Sequence, residues 1–167
     1  SQITDICGGL RANEERGKQM EPEWKDIERM VAGAIKEQAA KRPLTVRINT
    51  HGGEIPEQHG EWIDLKTAED AELEPLECKL ISLGVSMELP EGYYAQIVPR
   101  SSLCMKYGIM LANSMGIIEN DYNGDNDIWG FPAVAIRKTF IPKGTRVCQF
   151  CLVKKHSPVL FEAVESL

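Results

Sequence analysis

The sequence predicts an all-β fold, an antiparallel sandwich or barrel, with one amphipathic helix in front of it. Three observations lead to this prediction. Short alternating apolar runs recur at intervals of about ten residues after Pro43, which is typical of antiparallel β-proteins. Turn-forming sequences separate these runs. Only one segment has the apolar period of a helix, and the 167-residue chain has the length of one domain with its own core.

The helix is predicted over residues 22–40. Pro22 suits the first turn of a helix, and Trp24, Ile27 and Val31 recur at helical spacing. We expect this helix either to dock against a partner or another subunit, or to pack as a lid on the β-domain. The polar stretch before it shows no apolar period, which is typical of a mobile terminus. The predicted organisation is a flexible tail (1–20), a helical extension (21–43) and a β-domain (44–167).

Five alternating apolar runs are predicted to be strands: residues 44–48, 79–83, 94–98, 133–136 and 146–153. Turn sequences lie between them, at residues 90–92 (PEG), 123–124 (NG) and 142–144 (PKG). The Asn-Gly pair is interpreted as a hairpin turn. No second helix is predicted.

The composition excludes several classes of protein. Lys plus Arg number 19 and Asp plus Glu number 25, so the net charge of −6 argues against broad binding to nucleic acid or anionic membranes, although a local basic pocket remains compatible with it. No apolar run approaches the length of about 18 residues that a transmembrane helix needs. The five cysteines are an odd, scattered set, which predicts reduced thiols and a cytoplasmic location. Cys148 and Cys151 form a lone C-x-x-C, interpreted as two ordinary strand residues.

Two loops carry residues suited to nucleotide chemistry. Residues 98–102 (VPRSS) follow a predicted strand, and there a guanidinium group and two hydroxyls could bind phosphate oxygens. Residues 116–125 (GIIENDYNGD) bring two carboxylates beside a tyrosine, and Glu119 and Asp121 would share one face of a strand because side chains alternate. Taken alone, the first loop is better explained as a solvated turn, and the second as the acidic tip of a hairpin.

Taken together and in this order, the loops resemble motifs of the dUTPase family, the trimeric deoxyuridine triphosphate nucleotidohydrolases. Two further segments agree. Residues 62–65 (WIDL) look like the first family motif, normally [AG]-Y-D-L, and residues 144–150 (GTRVCQF) look like the fourth, normally G-x-R-[IV]-A-Q-[LMF]. The resemblance therefore spans most of the predicted β-domain.

The resemblance implies a jelly-roll-like β-barrel of the β-clip type, assembled as a homotrimer with active sites at the subunit boundaries. It implies hydrolysis of dUTP to dUMP and pyrophosphate, by in-line attack of water on the α-phosphorus. Magnesium, the implied cofactor, would be held mainly by the substrate phosphates and their waters, with no direct protein ligand. Such chemistry depends on positioning and charge neutralisation more than on covalent catalysis.

The resemblance also assigns roles to residues. Glu119 stands at the position of the general base, Asp121 is the alternative base, and Asp64 would order magnesium waters and the arginine of the second motif. Tyr122 would pack on the deoxyribose and exclude a 2′-hydroxyl. The remaining substrate contacts would involve the triphosphate (Arg100, Ser101, Ser102, Gln149) and the uracil edge (Asn113, Gly116, Ile118).

One departure from the family pattern is that the base is normally Asp, whereas this chain has Glu119. The extra methylene moves the carboxylate outward, so we expect Glu119 to serve as base with activity below that of an Asp-bearing relative. A Gly-rich arm that closes over the triphosphate in the family would begin near residue 164. Two alternatives remain: a non-catalytic, dUTPase-like nucleotide-binding or regulatory protein, and a dCTP deaminase.

Overall fold

A computed structural model describes residues 24–40 and 42–167. The predicted tail at residues 1–20 lies outside the described residues. The chain divides into two units between Pro43 and Leu44, and each is described by itself.

Helix α1 spans Trp24–Ala40, which agrees with the predicted helix over the part that is described. The side chains of Trp24, Met30 and Ile35 on this helix are exposed. Across the described residues, no helix combines the length and the apolar character that crossing a membrane requires.

The second unit, all of it described, contains twelve strands and one short helix. The strands are β1 Arg47–Asn49, β2 Gln58–His59, β3 Trp62–Lys66, β4 Ala71–Leu73, β5 Cys78–Ser82, β6 Ser86–Glu88, β7 Tyr93–Pro99, β8 Ile109–Leu111, β9 Gly116–Ile118, β10 Gly130–Ala135, β11 Thr139–Ile141 and β12 Arg146–Lys154. Helix α2, Leu103–Tyr107, lies between β7 and β8.

The predicted strands at 79–83, 94–98, 133–136 and 146–153 are confirmed as β5, β7, β10 and β12. The first prediction is only partly right, because β1 begins at Arg47 and not at residue 44. The expectation of no second helix was wrong. Helix α2 has only five residues, which is too short for a helical apolar period to be visible in the sequence.

The sheets are antiparallel and arranged around one core. The largest has the strand order β2-β3-β12-β7-β9, and a second has the order β5-β10-β8. Two smaller pairs, β1-β6 and β11-β4, complete the framework. Strand β12 is central in the large sheet, between β3 and β7, and these three strands position Asp64, Arg100 and Gln149.

All four sheets contribute to the hydrophobic core, including Met87, Leu73, Phe131 and Phe150. Trp129 is 1% exposed and meets Phe150 edge to face, with ring centroids 5.2 Å apart. Such burial contributes about 25 cal/mol per Å² of apolar surface. The large sheet is thereby held rigidly, which fixes the positions of the polar side chains at its ends.

Candidate active site

Three predicted site residues meet at one end of the large sheet. Gln149 on β12 lies directly opposite Asp64 on β3 and Val98 on β7. Opposed residues in an antiparallel sheet place their side chains on the same face. Arg100, two residues beyond Val98, continues on that face. The strand register thus brings together Asp64, Arg100 and Gln149.

Asp64 is held by two arginines. Its carboxylate accepts a hydrogen bond from Arg100 Nη1 and lies 3.4 Å from Arg146 Nη1. Its side chain is only 8% exposed, whereas those of the two arginines are 34% and 54% exposed. A carboxylate this buried needs such partners, because an unpaired charge away from water is strongly unfavourable. Asp64 therefore fixes both guanidinium groups while leaving their outer edges toward solvent.

A β-bulge explains how Arg146 reaches this face. The register shifts between Arg146, opposite Lys66, and Cys148, opposite Leu65. In a regular strand, Arg146 would point away from the face of Gln149, three residues along, because side chains alternate. The extra residue Val147 reverses that parity. The guanidinium is thus placed beside Asp64.

A cavity of about 200 Å³ opens beside this cluster. It is lined by Arg100, Ser102, Leu103, Lys106, Tyr107, Thr145 and Arg146. Three cationic side chains face it against the single carboxylate of Asp64, so the cavity carries a local positive charge on an acidic protein. The Ser102 hydroxyl makes no capping bond to helix α2, and Ser101 beside it is exposed. This arrangement suits a polyphosphate.

The second predicted loop lies at the other end of β7. Strand β9 pairs with β7, so that Gly116 is opposite Ile97 and Ile118 is opposite Ala95. A Cβ at Gly116 would lie 3.1 Å from the Ile97 Cβ, which explains why glycine fits there. Arg100 is five residues beyond Ala95, or about 17 Å along the strand. Within one chain, the acidic loop and the arginine cluster are therefore apart.

Residues 119–122 form a turn and not a strand. The Tyr122 N–H donates to the Glu119 carbonyl oxygen at 3.2 Å, and β9 ends at Ile118. The expectation that Glu119 and Asp121 share one face of a strand was therefore wrong. The reason is a contact that is distant in sequence: the Asn120 side chain donates to the Pro90 carbonyl oxygen at 2.9 Å, which holds the turn against the 90–92 loop.

The carboxylate of Glu119 is engaged by a lysine. Its Oε2 lies 2.7 Å from Lys155 Nζ, and both side chains are partly exposed. Tyr122 is 40% exposed, with its hydroxyl 3.5 Å from the Ile128 carbonyl oxygen. Asp121 is exposed in the same turn.

The Asn-Gly pair at 123–124 is not a two-residue hairpin turn, contrary to expectation. Instead, the Gly124 N–H donates to Asp127 Oδ2 at 2.8 Å, and the Asp127 N–H donates back to the Gly124 carbonyl oxygen at 3.0 Å. The Asp127 side chain therefore closes a four-residue turn at 124–127. The chain then runs without a strand as far as Gly130.

Comparisons with known proteins identify the family. The dUTPase family model matches residues 62–167. An SPbeta prophage-derived deoxyuridine 5′-triphosphate nucleotidohydrolase of Bacillus subtilis is 52% identical over 110 residues, which is 66% of this chain and 78% of the relative. The chain belongs to the dUTPase family.

Further relatives agree with this assignment. The deoxyuridine 5′-triphosphate nucleotidohydrolase of Finegoldia magna is 42% identical over 103 residues, covering 60% of this chain and 69% of the relative. The crystal structure of the Streptococcus mutans dUTPase superposes with a TM-score of 0.61 at 25% identity, covering 71% of this chain and 98% of the other. The jelly-roll-like β fold of the dUTPases is thus confirmed for this chain.

The predicted dUTPase site residues fall into two groups in the single chain. Asp64, Arg100, Ser102 and Gln149 lie at the arginine cluster, with Ser101 next to it. Gly116, Ile118, Glu119, Asp121 and Tyr122 lie on β9 and the turn that follows it. Asn113 is exposed in the connection between β8 and β9 and does not line the cavity.

Sequence reasoning missed three cationic contributors: Arg146, Lys106 and Lys155. Arg146 is the arginine of the fourth dUTPase motif, so that motif was an available signal for it. Lys106 follows the second motif but gains its place only through helix α2. Lys155 had no sequence signal, because its contact with Glu119 depends on strand order.

The C-x-x-C residues behave as ordinary strand residues of β12. Cys148 is fully buried, and Cys151 is half-buried. Burial, with a smaller contribution from the charge of Asp64, raises the pKa of the Cys148 thiol far above its usual range. Over the residues described, no group of three His, Cys, Asp or Glu side chains could hold a metal ion. The most buried carboxylate of the site, Asp64, is already taken up by arginines.

Proposed function

We propose that this dUTPase hydrolyses dUTP to dUMP and pyrophosphate by in-line attack of water on the α-phosphorus. The observation that carries the proposal is the cationic cavity beside the Asp64–Arg100–Arg146 cluster, in a chain that belongs to the dUTPase family. The pyrophosphate leaves with the negative charge that develops as the α-phosphorus bond breaks. Fixed guanidinium groups stabilise that charge without having to reorganise.

The arginine cluster is proposed to hold the triphosphate. Arg100 presents a planar fork of N–H donors to the phosphate oxygens, and Asp64 positions that fork through its buried contact. Hydroxyl groups of Ser101 and Ser102 add donors next to it. The Gln149 amide, opposite Asp64 on β12, reaches the same face.

The turn after β9 is proposed to hold the nucleoside and the base. The Glu119 carboxylate accepts the proton of the attacking water, and Asp121 is the alternative base in the same turn. Tyr122 packs on the deoxyribose and leaves no room for a 2′-hydroxyl. The uracil edge is read by Asn113 and by the backbone around Gly116 and Ile118.

The proposed cofactor is magnesium, which would be held mainly by the substrate phosphates and would neutralise part of their charge. The donor set fits this arrangement, because Asp64 is paired with two arginines and Glu119 with Lys155. Hard cations such as magnesium usually keep several waters and bind substrate phosphates at such sites. The chain's own contribution is to order those waters through Asp64 and to aim the triphosphate.

We further propose a homotrimer in which each site combines the arginine cluster of one subunit with the Glu119 turn of another. The separation of the two groups along β7, about 17 Å, supports this arrangement. Exposed apolar residues support it as well: Leu160 is 95% exposed and Phe161 is 96% exposed, at the C-terminal end of the described chain. Exposed apolar groups of this kind mark protein interfaces.

A mixed-subunit experiment tests the shared site. Two inactive variants, Arg100→Ala and Glu119→Gln, are co-expressed with different affinity tags and purified through both tags. If each site draws on two subunits, mixed trimers regain about one third of the wild-type activity, because one of the three sites in either kind of mixed trimer receives both native residues. No recovery in verified mixed trimers would show that each site lies within one chain.

A substrate panel tests the reaction itself. The purified protein is incubated with dUTP, dCTP, dTTP and UTP in the presence of magnesium, while pyrophosphate and ammonia are measured separately. Pyrophosphate release from dUTP alone supports the proposal. Ammonia from dCTP would favour the deaminase, and stabilisation by a non-hydrolysable dUTP analogue without hydrolysis of dUTP would favour a binding protein.

The proposed location is the reducing cytoplasm. The four described cysteines, Cys78, Cys104, Cys148 and Cys151, are free thiols. Stable thiols of this kind fit a compartment that keeps cysteine reduced. The proposal is tested by fractionation of the source cells with an antibody against the protein.

A further inference from the structure

We propose that Lys155 is a positioning residue that holds the Glu119 carboxylate in place for the attack of water on the substrate. The contact between Lys155 Nζ and Glu119 Oε2 is 2.7 Å long. The inference rests on the proposed role of Glu119 as base. It goes beyond that role because it assigns a function to a lysine outside the four sequence motifs.

The backbone places the two residues on opposite sides of β7. Lys154, the last residue of β12, is opposite Tyr93 of β7, and the Lys155 N–H donates to the Gly92 carbonyl oxygen at 2.8 Å. Glu119 follows β9, which pairs with the other edge of β7. Two strand spacings, about 9.6 Å, therefore separate the two backbones. A long cation and a long carboxylate are both needed to span this distance.

The length of Glu119 matters for this contact. Aspartate in its place would be shorter by one carbon–carbon bond, about 1.5 Å, which would open the contact with Lys155 unless the turn moved. The reach of the Lys155 side chain thus suits glutamate at position 119 better than aspartate. By fixing Oε2, it limits the freedom of the longer side chain and leaves Oε1 to accept the proton from water.

Folding stability does not explain the pair. The side chain of Lys155 is 40% exposed and that of Glu119 is 54% exposed, and ion pairs in such positions contribute little to stability. The backbone of Lys155 is anchored by its own hydrogen bond whatever the side chain does. A loss of the lysine side chain should therefore appear in the rate and not in the melting temperature.

The first test removes the cation with Lys155→Met. We expect kcat to fall on the order of 10- to 100-fold, since a catalytic group misplaced by about 1 Å can cost about 100-fold in rate, with KM for dUTP changing little. The matched control is Lys154→Met, which removes the same charge from the neighbouring residue, for which no ion pair is found within the described part of the chain. Lys155→Arg should restore most of the rate. Equal losses in the Lys155→Met variant and its control would overturn the inference, because they would indicate a general effect of charge.

The second test measures coupling to Glu119. Lys155→Met is combined with Glu119→Gln and, separately, with Glu119→Asp. If the lysine acts through the carboxylate, its loss should change the rate of either double variant by less than about twofold relative to the parent Glu119 variant. If Lys155→Met lowers the rate in both backgrounds by as much as it does in the wild-type protein, Lys155 acts on the substrate directly, and the positioning role would be wrong.

The two tests separate this inference from the proposed function. If Glu119→Gln keeps the wild-type rate, Glu119 is not the base and the proposed mechanism fails. If Glu119→Gln abolishes turnover while Lys155→Met retains the full rate, the mechanism stands and the positioning role of the lysine fails.

Discussion

The two ends of β7 hold their polar groups in different ways. At the end near Arg100, the charged groups lie on paired strands, and Asp64 is nearly buried between two arginines. At the other end, Glu119 and Tyr122 lie in an exposed turn that is fastened by Asn120 and Lys155. The charged groups near Arg100 (the phosphate end of β7) are thus part of the sheet framework. Those near Glu119 lie in a surface turn outside it. Substitutions at the first should affect both stability and activity, and those at the second activity alone.

The largest effect is expected for Glu119→Gln. Loss of a general base typically lowers the rate on the order of 100- to 10,000-fold, and the exposed position of this side chain predicts an almost unchanged melting temperature. Pyrophosphate release and thermal unfolding, measured on the same preparation, check both parts. Glu119→Asp is the matched control that keeps the carboxylate. A wild-type rate for Glu119→Gln would transfer the base role to Asp121.

Asp64→Asn should destabilise the protein more than any substitution in the Glu119 turn. It leaves Arg100 and Arg146 without their shared carboxylate, and breaking a buried ion pair costs about 3 kcal/mol, at the low end of the known range because the arginines reach solvent. Chemical denaturation gives the free energy of unfolding directly.

The control for Asp64→Asn is Glu54→Gln, which removes the exposed carboxylate that pairs with Lys66 at 2.9 Å. No measurable change in stability is expected there. Equal stability of the two variants would mean that the buried ion pairs of Asp64 contribute no more to folding than an exposed pair.

Selectivity for the sugar should change with Tyr122→Ala. Without the ring, a 2′-hydroxyl meets less steric hindrance, so the preference for dUTP over UTP should fall roughly 10-fold. Tyr122→Phe keeps the ring and loses only a hydroxyl at 3.5 Å from its acceptor, so it should keep the preference. The ratio of kcat/KM for dUTP to that for UTP measures this preference. If the preference is also lost in Tyr122→Phe, the hydroxyl and not the ring determines it.

Sequence patterns were sufficient where the chain keeps a regular period. Strands β7 and β10 alternate in burial, and Arg100, which follows β7, lies where alternation puts it. The register that joins Asp64 to Gln149 follows from strand pairing, which no single segment encodes. The motif residues could therefore be named from sequence, whereas their partners could not.

Sequence patterns failed where a β-bulge interrupts the alternation of a strand, and where a contact joins residues that are far apart in the chain. The bulge at Val147 reverses the side-chain parity of β12, so alternation alone would turn Arg146 away from Asp64. The turn at 119–122 depends on a hydrogen bond from Asn120 to a loop about thirty residues earlier in the chain. The contact of Lys155 with Glu119 likewise depends on β7 lying between β12 and β9. These features arise only when the sheet is assembled.

The smallest effect is expected from the buried thiol beneath the phosphate end. Because burial raises the pKa of Cys148, its thiol keeps its proton in the folded state at a pH where the unfolded chain releases it. The thiol therefore contributes stability that is intact below about pH 8.5, the ordinary thiol pKa, and is lost progressively above it. The slope approaches about 1.4 kcal/mol per pH unit.

Cys148→Ala should flatten the decline in stability between about pH 9 and 10, whereas Cys78→Ala, at an exposed position, should not. Denaturant titrations of the three proteins at a series of pH values measure this difference, and parallel curves would mean that Cys148 is accessible to water.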